Sequence, residues 1–159
     1  MGFRYFFLFL FMFTTGLFLS SCDSNRYYEK NIPFDDHIWA SNKPLAFSVD
    51  IDDTLNAFNF LINIRHNTDY RYSNIFLFLD TQYPDGNHSH DTLECLLAAP
   101  DGKWFGKGNG KIKENRILLK RNVFFPRKGT YEFKFEQAMR TDELGGMEDF
   151  GIRIEKFAD

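Results

Sequence analysis

The sequence predicts an all-β protein, a single jelly-roll-like β-sandwich of about eight strands behind a leader segment. Apolar and polar residues alternate along a series of short segments, which is the period of strands with one buried face. Turns that contain glycine and proline separate these segments, and no segment shows the period of an amphipathic helix. These features together are typical of two packed antiparallel sheets. A chain of 159 residues has room for one such domain.

The first part of the chain has the pattern of a targeting segment. Residues 5–19 form an uninterrupted, mostly apolar run that follows one basic residue, Arg4. This run is shorter than the roughly 20 residues that a transmembrane helix needs, and it fits the hydrophobic core of a signal peptide. A retained single-span anchor is the less favoured alternative.

A cysteine motif ends this segment. Leu19, Ser20 and Ser21 precede Cys22, an order that resembles the cleavage and acylation site of bacterial lipoproteins. Cleavage before Cys22 makes this cysteine the lipidated N-terminus, modified with palmitate among its acyl chains; the alternative is a plain secretory signal beside a chance cysteine. The predicted organisation is a lipoprotein signal peptide at 1–21, a lipidated N-terminus and tether at 22–44, and a β-sandwich domain at 45–159.

The predicted strands begin after the tether. Their ranges are 45–52, 58–64, 74–79, 88–97, 116–125, 129–139 and 150–157. Residues 74–79 are apolar on both faces, which predicts a central strand covered on both sides. The glycine-rich stretch 103–113 predicts a flexible loop that exposes Trp104. Cys95 lies between alternate leucines in a strand, so we expect a small buried hydrophobe without a disulfide partner.

Composition and motifs disfavour several classes of function. The net charge of −3 gives no basic excess for binding a phosphate backbone, so no nucleic-acid partner is expected. The glycines and lysines of 102–111 lack the spacing of a phosphate loop, and no cofactor is predicted. No serine, cysteine or threonine is placed beside a base as a nucleophile requires, so we expect no catalytic residues and no enzyme.

Two polar clusters are candidate metal sites. His88 and His90 share one face of a strand, and Asp50, Asp52 and Asp53 lie at a strand end. The histidines would bind a divalent cation only with a converging carboxylate, and the aspartates lack the oxygen-ligand spacing of a known calcium loop, so we expect solvated side chains and no metal.

Two threonines have the pattern of a modification site. Thr54 and Thr92 each lie between an aspartate and a leucine, which resembles O-glycosylation sites of some bacterial envelope proteins. Chance matches are the alternative.

Candidate binding residues are concentrated in three connecting segments. The loop 65–74 is dense in arginine, aromatic and amide side chains, which are enriched at protein interfaces. A hydrogen-bonded connection with internal packing and ion pairs is the alternative. The residues predicted to contribute to a partner surface are Arg65, His66, Tyr70, Tyr72, Trp104 and Arg140.

The chain resembles the gliding-motility lipoprotein GldH family. The resemblance is carried, in order, by Cys22 and residues 28–32, 65–74, 91–95, 101–108, 136–140 and 151–156. Arg71 departs from the proline expected between the two tyrosines of the second stretch. The resemblance implies an envelope lipoprotein required for gliding motility, whose machinery shares components with a protein secretion system; it implies no catalytic residues.

Two functional hypotheses follow. The first is a lipid-anchored protein of the cell envelope that is expected at the outer membrane. It is attached to the membrane through lipidated Cys22 and binds other motility or secretion components. The second is a glycan-binding module on a sandwich scaffold, which rests on analogy of fold alone.

Overall fold

The computed structural model describes residues 23–157 and shows two packed antiparallel sheets. The predicted signal peptide and Cys22 lie outside the described residues. A short 3-10 turn, Asp35–His37, precedes the second strand. The strands are β1 (Arg26–Pro33), β2 (Ile38–Ala40), β3 (Leu45–Ile51), β4 (Phe58–Asn67), β5 (Asn74–Gln82), β6 (His88–Leu96), β7 (Ile112–Val123), β8 (Gly129–Gln137), β9 (Glu143–Gly145) and β10 (Met147–Lys156).

The strand order is that of a jelly roll. One sheet has the order β1-β10-β4-β7 and the other β3-β8-β5-β6, while β2 and β9 pair as a separate two-stranded ribbon. Every pairing is antiparallel. Without the ribbon, successive long strands lie in alternate sheets, except β5 and β6, which are neighbours in one sheet; this is the arrangement of two Greek keys in a jelly roll. The predicted fold class is confirmed.

The alternation that predicted the strands matches burial. In β8, Tyr131, Phe133 and Phe135 are buried between the sheets, while Glu132 and Lys134 face outward. The inward residues of β3 and β4 are buried in the same way. Each fully buried side chain of this size contributes roughly 1.5–3 kcal/mol through the removal of apolar surface from water.

Aromatic rings fill the centre of the core. The ring of Phe150 in β10 lies 5.1 Å from Trp39, 6.1 Å from Phe47 and 4.9 Å from Phe135, measured between ring centroids. Trp39 donates its indole N–H to the Lys43 carbonyl at 3.1 Å, so its one polar group is satisfied. This cluster holds the β2–β9 ribbon against both sheets.

The N-terminal segment is part of the fold and not a tether. β1 pairs with β10 along its whole length, from Arg26 opposite Glu155 to Pro33 opposite Asp149. The predicted tether 22–44 therefore contains both β1 and β2. Because β1 is an edge strand whose faces are both partly wet, it lacks the hydrophobic alternation that marks the other strands.

The prediction for β5 is half right. It lies inside its sheet, between β8 and β6, and Ile75, Leu77 and Leu79 are buried. Phe76 and Phe78 point to the outer face and are each 37% exposed, so no layer of the described chain covers that side.

Cys95 is expected to react slowly with thiol reagents. It is 2% exposed in β6, and burial raises the pKa of its thiol to about 11, with a further contribution from Glu94. Because the thiolate is the reactive form, maleimide labelling at pH 8 should be about 100-fold slower or more in native protein than in urea. A cysteine placed at the exposed Thr92 of the same strand is the control and should label rapidly in both states. Rapid native labelling of Cys95 alone would contradict its burial.

Candidate functional site

The sandwich has two ends built from different connections. The N-terminal end is made of residues 23–25, 52–57, 83–87 and 124–128, together with Phe157. The distal end is made of residues 34–44, 68–73, 97–111 and 138–146. The predicted partner residues Arg65, His66, Tyr70, Tyr72, Trp104 and Arg140 all lie at the distal end. Three segments that are far apart in sequence therefore meet at one face, as a shared surface requires.

Several of these residues build the end and do not form its surface. His66 is 0% and Tyr70 3% exposed, and the Tyr70 hydroxyl donates to the Asn74 carbonyl at 2.9 Å. The Trp104 ring is half-buried, 4.5 Å from the His66 ring and 6.5 Å from the Tyr70 ring. Burial removes His66 and Tyr70 from the predicted partner surface. The expectation of an exposed Trp104 on a flexible loop is also corrected, since an antiparallel bridge to Ala98 fixes it.

His66 has the character of a neutral core histidine. Its Nδ1 lies 3.0 Å from the Asn67 carbonyl oxygen, and its Nε2 has no hydrogen-bond partner within the described residues. Burial lowers the pKa of His66, and the nearby charge of Lys113 lowers it further. The ring therefore packs against Trp104 as an uncharged aromatic group.

Arg65 is held by an ion pair within the fold. Its guanidinium lies 2.7 Å from Asp149 on the neighbouring strand β10. Burial raises the pKa of Asp149, an effect that the charge of Arg65 opposes. This matches the alternative that the sequence left open, in which Arg65 pairs with a carboxylate.

A close approach of two chain segments fixes the loop 68–73. Gly146 adopts φ +82°, and a Cβ there would lie 2.7 Å from the backbone nitrogen of Tyr70. The amide of Asn67 also donates to the Gly146 carbonyl at 2.8 Å. Only glycine fits this contact, so the turn before β10 sets where the loop stands.

One accessible part of the distal end is a polar cleft of about 370 Å³. Tyr72 at its wall is 39% exposed, and the side chains of Asp69, Arg71 and Glu143 are exposed around it. Thr141 completes one side and donates its hydroxyl to the Glu143 carbonyl at 3.1 Å. The cleft thus offers one aromatic face with both signs of charge, which is suited to directional binding of a polar partner.

The sequence predicted only some of the residues that line this cleft. Tyr72 was predicted, and Asp69 and Arg71 lie in the loop that composition singled out. Thr141 and Glu143 were missed because only the β2–β9 ribbon brings them to the loop. Arg140 is exposed nearby but does not line the cleft.

Most residues of the two candidate metal clusters have other partners. Nδ1 of His90 lies 2.6 Å from Asp80, while Asp52 accepts the Tyr27 hydroxyl at 2.6 Å and Asp50 that of Thr130 at 2.6 Å. Across residues 23–157, no three histidine, cysteine or acidic side chains converge on a point where a metal ion could bind.

The possible modification sites differ in access. Thr92 is exposed on β6, and Thr54 is half-buried in the loop 52–57. Their glycosylation stays a prediction. Over the same described part of the chain, no helix is sufficiently long and apolar to cross a membrane.

Fold and cleft together define a class: a jelly-roll β-sandwich with a loop-built polar cleft at one end. The chain belongs to the GldH lipoprotein family, whose model matches residues 26–154. It is 40% identical, over 156 residues that cover 94% of each chain, to the gliding motility lipoprotein GldH homolog of Christiangramia forsetii. It is 32% identical, over 148 residues, to the gliding motility lipoprotein GldH of Flavobacterium johnsoniae, covering 89% of this chain and 91% of that one. The family resemblance is confirmed.

One solved structure aligns with most of this chain. The VP2 subviral particle of infectious bursal disease virus aligns with 85% of this chain and 34% of that one, at 12% identity and a TM-score of 0.39. A likeness at this level supports no argument about function.

Proposed function

We propose that the protein is a lipid-anchored envelope component of the gliding-motility machinery, held at the outer membrane by acylated Cys22, and that it acts by binding another envelope protein through its distal cleft. Membership of the GldH lipoprotein family supports the role in motility and the envelope location. The cysteine motif after the apolar leader supports anchoring through palmitate and its companion acyl chains. The function that we propose for the domain is binding, not catalysis.

The observation that supports this proposal most directly is that the predicted anchor and the cleft belong to opposite ends of the molecule. Asp23 lies at the N-terminal end of the sandwich, and the cleft with Tyr72 lies at the opposite end of the strands. A lipid on the preceding residue leaves the distal end facing away from the membrane. A polar, partly aromatic cleft in that position is free to meet a protein partner.

The anchor gives a direct prediction. Cys22→Ser should abolish acylation, so the chain should accumulate as uncleaved or mislocalised precursor and cells should lose gliding. Three acyl chains each bury many methylene groups at about 0.8 kcal/mol apiece, so the native protein should stay with the membrane through repeated washing. The measurement is detergent-phase partitioning with intact-mass analysis. A variant that still carries a lipid mass would refute the anchor.

The partner class has its own test. Full-length protein should co-purify with motility or secretion proteins from detergent-solubilised envelopes, and Arg71→Ala should reduce that recovery. Lys30→Ala, exposed on the edge strand β1 and away from the cleft, is the control that should leave recovery unchanged. Recovery that resists the first change and is instead abolished by soluble glycan would favour the glycan-binding alternative.

A further inference from the structure

The N-terminal end carries exposed apolar side chains. Leu55 in the loop 52–57 is 87% exposed, and Phe124 in the loop 124–128 is 59% exposed. The loop that presents Leu55 is rigid at its base, because Asp53 accepts the amides of Leu55 and Asn56 at 3.0 Å each. Its leucine is therefore held outward as part of a defined turn.

The hairpin between β7 and β8 carries basic residues on both sides of Phe124 in sequence. Lys120, Arg121, Arg127 and Lys128 lie within it, and no acidic residue lies between positions 120 and 130. Arg127 pairs with Asp85 on the adjacent turn at 3.3 Å, and Lys120 lies 3.8 Å from an aspartate of β6. The charges that remain, those of Arg121 and Lys128, suit the phosphate headgroups of a bilayer. The aromatic side chain at the tip of the hairpin suits the acyl chains beneath them.

The position of Asp23 indicates which surface this end meets. Arg153, itself 3% exposed, donates to Asp23 at 2.5 Å, and the amide of Lys156 donates to the Asn25 carbonyl at 2.8 Å. The residue before Asp23 is Cys22, and consecutive Cα atoms are about 3.8 Å apart. An acyl group on Cys22 would therefore start at this end of the sandwich, with no long tether between the lipid and the fold.

We infer that the N-terminal end is a membrane-docking surface, in which Leu55 and Phe124 enter the acyl-chain boundary and the β7–β8 hairpin meets the lipid phosphates. The occupant is the phospholipid bilayer that holds the anchor. This docking rests on the proposed lipid anchor and adds an orientation to it: the sandwich stands on the membrane with its distal cleft outermost. The domain is thereby fixed by several contacts and does not swing on one lipidated residue.

The test compares two phenylalanines of equal exposure at opposite ends. Phe124 is 59% and Phe105 58% exposed. The lipidated full-length chain, bearing a bimane label on Phe124→Cys or Phe105→Cys, is reconstituted in vesicles of phosphatidylethanolamine and phosphatidylglycerol that contain brominated phosphatidylcholine. Quenching at position 124 should exceed that at 105 by roughly twofold or more, since only a side chain within the bilayer boundary reaches the bromines.

Each outcome bears on the inference. Equal quenching, or stronger quenching at 105, in protein that floats with the vesicles would overturn the docking surface and leave the anchor intact. Protein that does not float would overturn both. Should Phe124→Cys fail to fold, Leu55→Cys against Leu96→Cys, 87% and 59% exposed in the native chain, makes the same comparison.

Discussion

Tyr70→Ala is expected to lower the free energy of unfolding by roughly 3–5 kcal/mol, the range for deleting a large buried aromatic side chain. Tyr70 is 3% exposed, its ring lies 5.4 Å from that of His66, and its hydroxyl satisfies the Asn74 carbonyl. The change leaves a cavity under the loop 68–73 and an unpaired carbonyl beside it. Urea denaturation followed by tryptophan fluorescence measures the loss.

The matched control is Tyr72→Ala, two residues along the same loop. Tyr72 is 39% exposed, and its contact with Tyr70 is one edge-on ring pair at 5.8 Å. We expect its free energy of unfolding to change by less than about 1 kcal/mol, as at other surface positions, while partner binding weakens by about 2 kcal/mol. A large loss of stability with partner binding intact would assign Tyr72 to the packing of the domain and not to its surface.

Arg153→Met is expected to lower the free energy of unfolding by about 2 kcal/mol, because the half-buried carboxylates of Glu29 and Glu155 lose their shared counter-charge. Arg153 is 3% exposed and is the common partner of Glu29 at 2.5 Å, of Asp23 at 2.5 Å and of Glu155. The Glu29 carboxylate is 17% exposed. Burial acts to raise its pKa, but hydrogen bonds from Asn63 and Arg153 outweigh this effect and lower the pKa. Without Arg153, β1 should loosen from β10 and Asp23 should lose its fixed position.

Arg26→Met provides the comparison for that change. Arg26 is 53% exposed and lies 3.8 Å from the same Glu29, so its ion pair is screened by solvent. The expected cost is below about 1 kcal/mol. Hydrogen exchange should show faster exchange of the β1 amides in Arg153→Met only. Equal effects of the two substitutions on denaturation and exchange would contradict the central place of Arg153 in this network.

The sequence predicted those strands that have one face in the core and the other in water. Along β8, Tyr131, Phe133 and Phe135 alternate with charged residues because one face is core and the other is water. β1 gave no such signal, since its outward Glu29 belongs to a half-buried ion network and its inward residues are only half-buried at the sheet edge. Edge position, which depends on topology, removed the pattern that reveals a strand.

The candidate site was predictable only as a composition. The loop around Tyr72 stands out because arginine and aromatic residues are concentrated there. Which of its aromatic residues face water depends on long-range contacts. Gly146 packs closely against the loop, and Trp104 of the β6–β7 connection packs against His66. Neither contact has a local sequence signature, so burial and exposure could not be assigned beforehand.

The central claim, that the distal cleft binds another envelope protein, is tested most directly by photo-crosslinking in gliding cells. A photoreactive amino acid replaces Tyr72 in the cleft or, as the control, Phe78 on the outer face of the β5 sheet; their native exposures are 39% and 37%. The account predicts a discrete adduct with an envelope protein from position 72 and none from position 78, in cells where both variants remain membrane-bound. An adduct from position 78 with none from position 72 would contradict it.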